Sequence, residues 1–242
     1  MKRTLIVILA AVMIVMSFAA CGQKKEEAPI EEAASGTELV GAWEIQKDLS
    51  DFDSIPDDVQ AAFDKAMEGY TGMGFVPYAY VGRQIVSGTN YMILACGTTV
   101  TAEPQTGLYM LVIYEDTEGN ATIKSVKDFD IAAIEEAEPA DTPFGVAGGW
   151  QLNDRKESVG MPDMETEVIK KVLEGDTSGV TYVPLSRIIA EKIVSGAEFA
   201  LLAAEYETPD SQPQVCMLYL YDMADGTTSL KSVRIDITAY NE

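Results

Sequence analysis

The chain has 242 residues, 47% of them apolar, and a formal charge of −22 with no histidine at all. That size and apolar fraction allow up to two packed domains and argue against wholesale disorder, while the charge argues against a nucleic-acid partner. The missing imidazole removes Ser-His-Asp and Cys-His catalysis and most zinc and iron sites, so neither an enzyme nor a metal or other cofactor is expected.

In chain order, Lys2 and Arg3 precede an apolar run that ends in small residues, the pattern of a secretory signal. "FAAC" follows at residues 18–21, and the segment resembles a bacterial lipoprotein signal with that tetrapeptide as its lipobox. The resemblance implies cleavage after residue 20, a diacylglycerol on Cys21, and a protein held by lipid on the extracytoplasmic face of a bacterial membrane. Losing Lys2 and Arg3, with no acid in residues 1–20, takes the mature chain to −24. A coat that acidic is repelled by anionic lipid, which leaves the anchoring to the acyl chains. Residues 21–38 are rich in Glu, Ala and Ser without apolar periodicity and read as a flexible tether of roughly 20–25 Å.

The remainder is an internal repeat. Trp43 and Trp150, Pro77 and Pro184, Tyr114 and Tyr221, and Ser125 and Ser232 stand at one constant offset. Gly88 and Gly196 stand one residue further apart than that, so the second copy gains a residue before its hairpin, which suggests a bulge, and loses one after it. The expected domains are residues 39–131 and 148–242, joined by a linker over 132–147 that carries acids and two prolines.

Within the first copy, Val59, Ala62, Phe63, Ala66, Met67 and Tyr70 form the stripe of an amphipathic helix, with Pro56, Asp57 and Asp58 at its start and Gly69 at its end. The second copy repeats the stripe with Met164, Val168, Ile169, Val172 and Leu173 and stops at Gly175. A short tryptophan strand precedes each helix. Four strands follow it, in the first copy near 76–86, 90–100, 107–115 and 121–131, with turns short enough for an antiparallel meander. The strand "NYMILAC" is apolar on both faces, Tyr91, Ile93 and Ala95 on one and Met92, Leu94 and Cys96 on the other. Either the second face is covered, by the other repeat, or apolar area is left in solvent.

"QIVSG" at residues 84–88, after the helix and one strand and followed by Asn90 and Tyr91, resembles the Gln-x-Val-x-Gly hairpin of the cystatins. The resemblance covers most of the chain beyond the tether. It implies an α+β fold of two cystatin-like domains, each an antiparallel sheet wrapped around one helix in the order β-α-β-β-β-β. It also implies reversible inhibition of a papain-like cysteine protease by a wedge that fills the cleft beside the catalytic cysteine. Gln84, Ile85, Val86, Ser87 and Gly88 would form the protease-binding hairpin, and Leu39, Val40 and Gly41 an N-terminal contact. The equivalent hairpin of the second copy is Lys192, Ile193, Val194, Ser195 and Gly196, with lysine for glutamine and Glu198-Phe199 for Asn-Tyr. The second cystatin hairpin carries Pro-Trp, whereas this chain has Asp116 and Glu118 there. The alternative is a non-inhibitory extracellular module that binds a peptide or protein through the same hairpins or a sheet edge.

Other chemistry is sparse. Asp48, Asp51 and Asp53 supply only a fragment of a calcium loop. Cys96 and Cys216 sit in apolar runs as candidate buried thiols, with a bridge between the copies left open. Tyr78, Tyr80 and Tyr91 are either strand packing or an aromatic binding face.

Overall fold

A computed structural model describes residues 41–47, 55–136, 149–153, 162–194 and 196–241. The signal, Cys21, the tether, Leu39, Val40, the Asp48–Asp51–Asp53 cluster, most of the linker and Ser195 lie outside the described residues.

The first repeat runs β1 (Trp43–Ile45), α1 (Asp57–Met67), β2 (Met73–Ile85), β3 (Gly88–Thr99), β4 (Thr106–Asp116) and β5 (Ala121–Asp128). A six-residue helix, α2 (Ile131–Glu136), occupies the start of the stretch expected to be linker. It forms there because the Asp130 carboxylate accepts from the backbone N–H groups of Ala132 and Ala133. The second repeat runs β6 (Gln151–Leu152), α3 (Pro162–Gly175), β7 (Thr181–Pro184), β8 (Ala190–Val194), β9 (Gly196–Tyr206), β10 (Gln214–Met223) and β11 (Thr228–Arg234), and a 3-10 turn at Ile237–Tyr240 follows.

All strand pairs are antiparallel. The first sheet has the order β1-β2-β3-β4-β5, so β5 is its outer strand, and the second has β11-β10-β9-β8-β6, with β7 also on β9. The extra residue of the second copy falls where β7 and β8 part. Leu185–Ile189 departs from regular pairing there while Leu185 and Ile189 still donate backbone bonds to the Leu202 and Ala200 carbonyls of β9, and buried Ser186 accepts from the backbone N–H of Leu202. The first copy has register shifts at the matching place in β2.

The two-faced strands are covered on both sides. Tyr91, Ile93 and Ala95 pack with Val59, Ala62, Phe63 and Ala66 of α1. Met92 and Leu94 turn the other way and meet the second repeat, packing with Ala200, Leu202, Met217 and Tyr219. The second sheet does the same, its outer face (Leu201, Leu218, Leu220) against Ile169 and Val172 of α3. The layers are therefore helix, sheet, sheet, helix, and the chain from Glu38 to Glu242 is one compact unit.

This corrects the expected α+β class of two cystatin-like domains. The chain is mostly β, with 51% of the described residues in strands against 18% in helices, and neither sheet is wrapped around a helix. The reason lies in the strands themselves. A sheet curled around one helix buries only its concave face, and Met92, Leu94, Met110 and Val112 on the opposite face would then stand in water. Two sheets placed face to face bury both sets at once. Tyrosines stitch the layers. The Tyr219 hydroxyl donates to the Ile131 carbonyl at 2.8 Å, and the Tyr78 hydroxyl reaches the carbonyls of Ile188 at 3.2 Å and Asn153 at 3.3 Å.

Leu202→Ala, in the core between the sheets, is expected to lower stability by about 2–5 kcal/mol. Because both repeats share that core, scanning calorimetry should show one transition moved as a whole. Two separate transitions, with only one displaced, would contradict the shared core.

Candidate functional site

Each expected binding hairpin rests on a polar rung that runs across several neighbouring strands. In the first repeat the register aligns Trp43, Gln84, Asn90 and Tyr114 on four neighbouring strands. In the second it aligns Lys192, Glu198 and Tyr221, with Trp150 immediately before β6. The glutamine and the asparagine of the sequence motif are thus cross-strand partners. Asn90 Nδ2 donates to Gln84 Oε1 at 2.7 Å, and Gln84 Nε2 donates to the Gly41 carbonyl at 2.9 Å. Gln84, expected as a contact residue, has its amide bonded within the chain, where it ties the turn before β1 to the hairpin.

The tip itself projects. The turn between β2 and β3 consists of Val86 and Ser87, both exposed, with Val86 38% accessible. Gly88 is required by a neighbour rather than by its dihedrals, because a Cβ there would overlap the Glu115 carbonyl oxygen of β4. Gly196 meets the same constraint at Asp222 and also has a φ of +138°, in the range that favours glycine. Ile193 is 59% exposed at the end of β8.

In the second repeat the rung is ionic. Lys192 Nζ lies 2.7 Å from Glu198 Oε2 and 3.0 Å from Glu135 Oε1, and 4.6 Å from the centre of the Trp150 ring. Trp150 Nε1 donates to Glu135 Oε2 at 3.0 Å, and Lys231 Nζ donates to the Glu135 carbonyl at 2.6 Å. The cluster is buried, Lys192 being 7% and Glu198 2% exposed. One buried lysine is shared by two carboxylates, with Lys231 on the backbone of the second, so Glu198 has only part of a cation to itself. Burial accordingly pushes the Glu198 carboxyl above the usual glutamate range, against the pull of Lys192. Burial acts the same way on Glu135, but hydrogen bonds from Lys192 and Trp150 outweigh it and hold that carboxyl low. Burial opposes the charge on Lys192, and its bonds to Glu198 and Glu135 prevail and raise its pKa.

This arrangement holds charge and strand register; it offers no reactive group. Lys192 is kept protonated by two acids, and burial pushes the Cys216 thiol up to about 12. No disulfide joins Cys96 to Cys216. Among the described residues no group of three acids or cysteines is placed to hold a metal ion. Glu135 had no place in the sequence reading, because it lies just beyond the first repeat and its partners lie in the second. One signal was available. Gln84 and Asn90 both become charged in the second copy, as Lys192 and Glu198, and a paired replacement of that kind marks residues that touch.

Lys192→Gln leaves Glu198 buried without its cation and is expected to cost about 3–5 kcal/mol in denaturant unfolding. Adding Glu198→Asn, which transplants the pair of the first repeat, should restore most of that loss; no recovery would mean that the pair is not the stabilising unit. The pH dependence has a definite sign. A raised folded pKa means that the stability Glu198 contributes is present at acid pH and falls as pH rises above 4.5 through its folded value. Glu198→Gln should remove that fall, measured as the difference in unfolding free energy between the two proteins across pH 4–8, a range set by the usual glutamate value.

No protein-family model matches the chain, and no curated protein sequence matches it.

Proposed function

We propose that this chain is an extracytoplasmic binding module, tethered by lipid at Cys21, that engages a peptide or protein through the tips of its repeated hairpins. The observation that carries the reading is that each hairpin puts an aliphatic side chain into water at its end, Val86 in one and Ile193 in the other. Each stem is held by its polar rung, so little conformational entropy is left to lose on binding. The covered faces of both sheets leave the hairpin tips and strand edges among the parts open to a partner.

Inhibition of a papain-like cysteine protease is the second reading, and the exposed Val86–Ser87 tip favours it, since a narrow apolar turn suits an extended cleft. Gln84 gives it no support, its amide being engaged with Asn90 and Gly41.

Peptides selected by display against the full chain, and a papain-like protease, would be titrated in parallel against the wild type and Val86→Glu and Ile193→Glu variants. Binding should fall by about tenfold or more when a tip is charged, the loss of a buried apolar anchor, with thermal stability unchanged. Selected peptides that bind all three proteins equally would overturn the hairpin reading. Inhibition lost only in Val86→Glu would favour the protease reading. Cys21→Ser should move the chain from the membrane to the soluble fraction; a variant that stays on the membrane would rule out the lipid tether.

A further inference from the structure

The segments that follow the two repeats are copies of one another. "DIAAIEE" at residues 130–136 matches "DITAYNE" at 236–242, aligning Ile131 with Ile237, Ile134 with Tyr240 and Glu135 with Asn241. Both begin at a capping aspartate, Asp130 onto Ala132 and Asp236 onto Thr238. Each crosses to the other repeat. The helix α2 is held by Tyr219, Trp150, Lys192 and Lys231 of the second. The C-terminal turn is held by the first, where Lys127 Nζ donates to the Ala239 carbonyl at 2.9 Å and the Tyr240 ring lies 6.3 Å from that of Phe129.

The two attachments differ in strength. Ile131 is 4% exposed, whereas no residue of the C-terminal turn is buried. Where Glu135 binds a lysine and a tryptophan, Asn241 leaves its Oδ1 buried without a hydrogen-bond partner. Phe129, on which the Tyr240 ring packs, also lines with Leu108, Trp150 and Leu152 a cleft of about 270 Å³. Lifting the turn would uncover the side of the Phe129 ring on which Tyr240 packs.

We infer that Ile237–Tyr240 is a displaceable strap over the Phe129 end of the first sheet. The segment that can replace it is a peptide of its own chemistry, an aliphatic and an aromatic side chain three residues apart behind an aspartate cap. This site is separate from the hairpin tips and stands whether or not they bind a partner.

Hydrogen exchange on the full chain tests the strap directly. Amides of residues 238–241 should exchange about tenfold faster than those of residues 132–135, as a locally opening segment does; equal protection would overturn the inference. Fluorescence anisotropy tests the site, with a labelled peptide spanning residues 234–241. A full-length Ile237→Ser/Tyr240→Ser variant should bind it about tenfold more tightly than the wild type, because the intramolecular competitor is weakened, and a peptide carrying the same two serines should not bind. A folded variant that takes up neither peptide would overturn the site. If that variant does not fold, the exchange comparison on the unaltered chain decides.

Discussion

The structure depends on one constraint. Its central strands are apolar on both faces, so each sheet needs two covers. A helix supplies one. The other is the equivalent face of the second repeat, and the meeting of Met92, Leu94 and Met110 with Leu202, Met217 and Tyr219 makes two repeats into one body. Neither repeat has a spare apolar layer to supply that second cover, so neither core is complete within its own half of the chain. The cost of ordering a long meander is offset by burial on both sides of the same strands.

Once the sheets face one another, the polar groups near their interface need partners. The first repeat answers this in part with amides, Gln84 and Asn90, and the second with an ion cluster that draws Glu135 from beyond the end of the first, while Asn90 Oδ1 and Glu198 Oε1 stay buried without a partner. The second solution does more than satisfy hydrogen bonds. It ties α2, the helix that follows the first repeat, to β8 and β9, and so fixes where the crossing chain sits. The neutral rung has no such reach, which is why the two crossing segments differ in how firmly they are held.

Much of the local structure was legible in the sequence. The stripe from Val59 to Ala66 marks α1 and the pattern of Tyr91 to Cys96 marks β3, but that pattern alone does not decide between a covered second face and one in water, and the extra residue before Gly196 suggests a bulge where the structure breaks the strand into β7 and β8. What failed was the inference from a hairpin motif to a domain. Gln84 and Gly88 are explained by neighbours inside the sheet, Asn90 for one and the Glu115 carbonyl for the other, and residues required by packing carry no information about a ligand. The Glu135 cluster was out of reach because its partners lie 57 and more residues away on strands of the other repeat, apart from Trp150 at 15. Periodicity reports which face of a strand is buried; it does not report what buries it.

The outer strands of the two sheets carry a further pattern. Lys124 and Lys127 on β5 recur as Lys231 and Arg234 on β11, where Lys231 is bonded to the Glu135 carbonyl and Arg234 is ion-paired with Glu205 and Glu207. A strand added along either edge would have to be seated beside these cations, and on β11 beside the ion pairs of Arg234 as well. Charge on an outer strand is one of the ways in which a ladder edge is kept from growing into an extended intermolecular sheet.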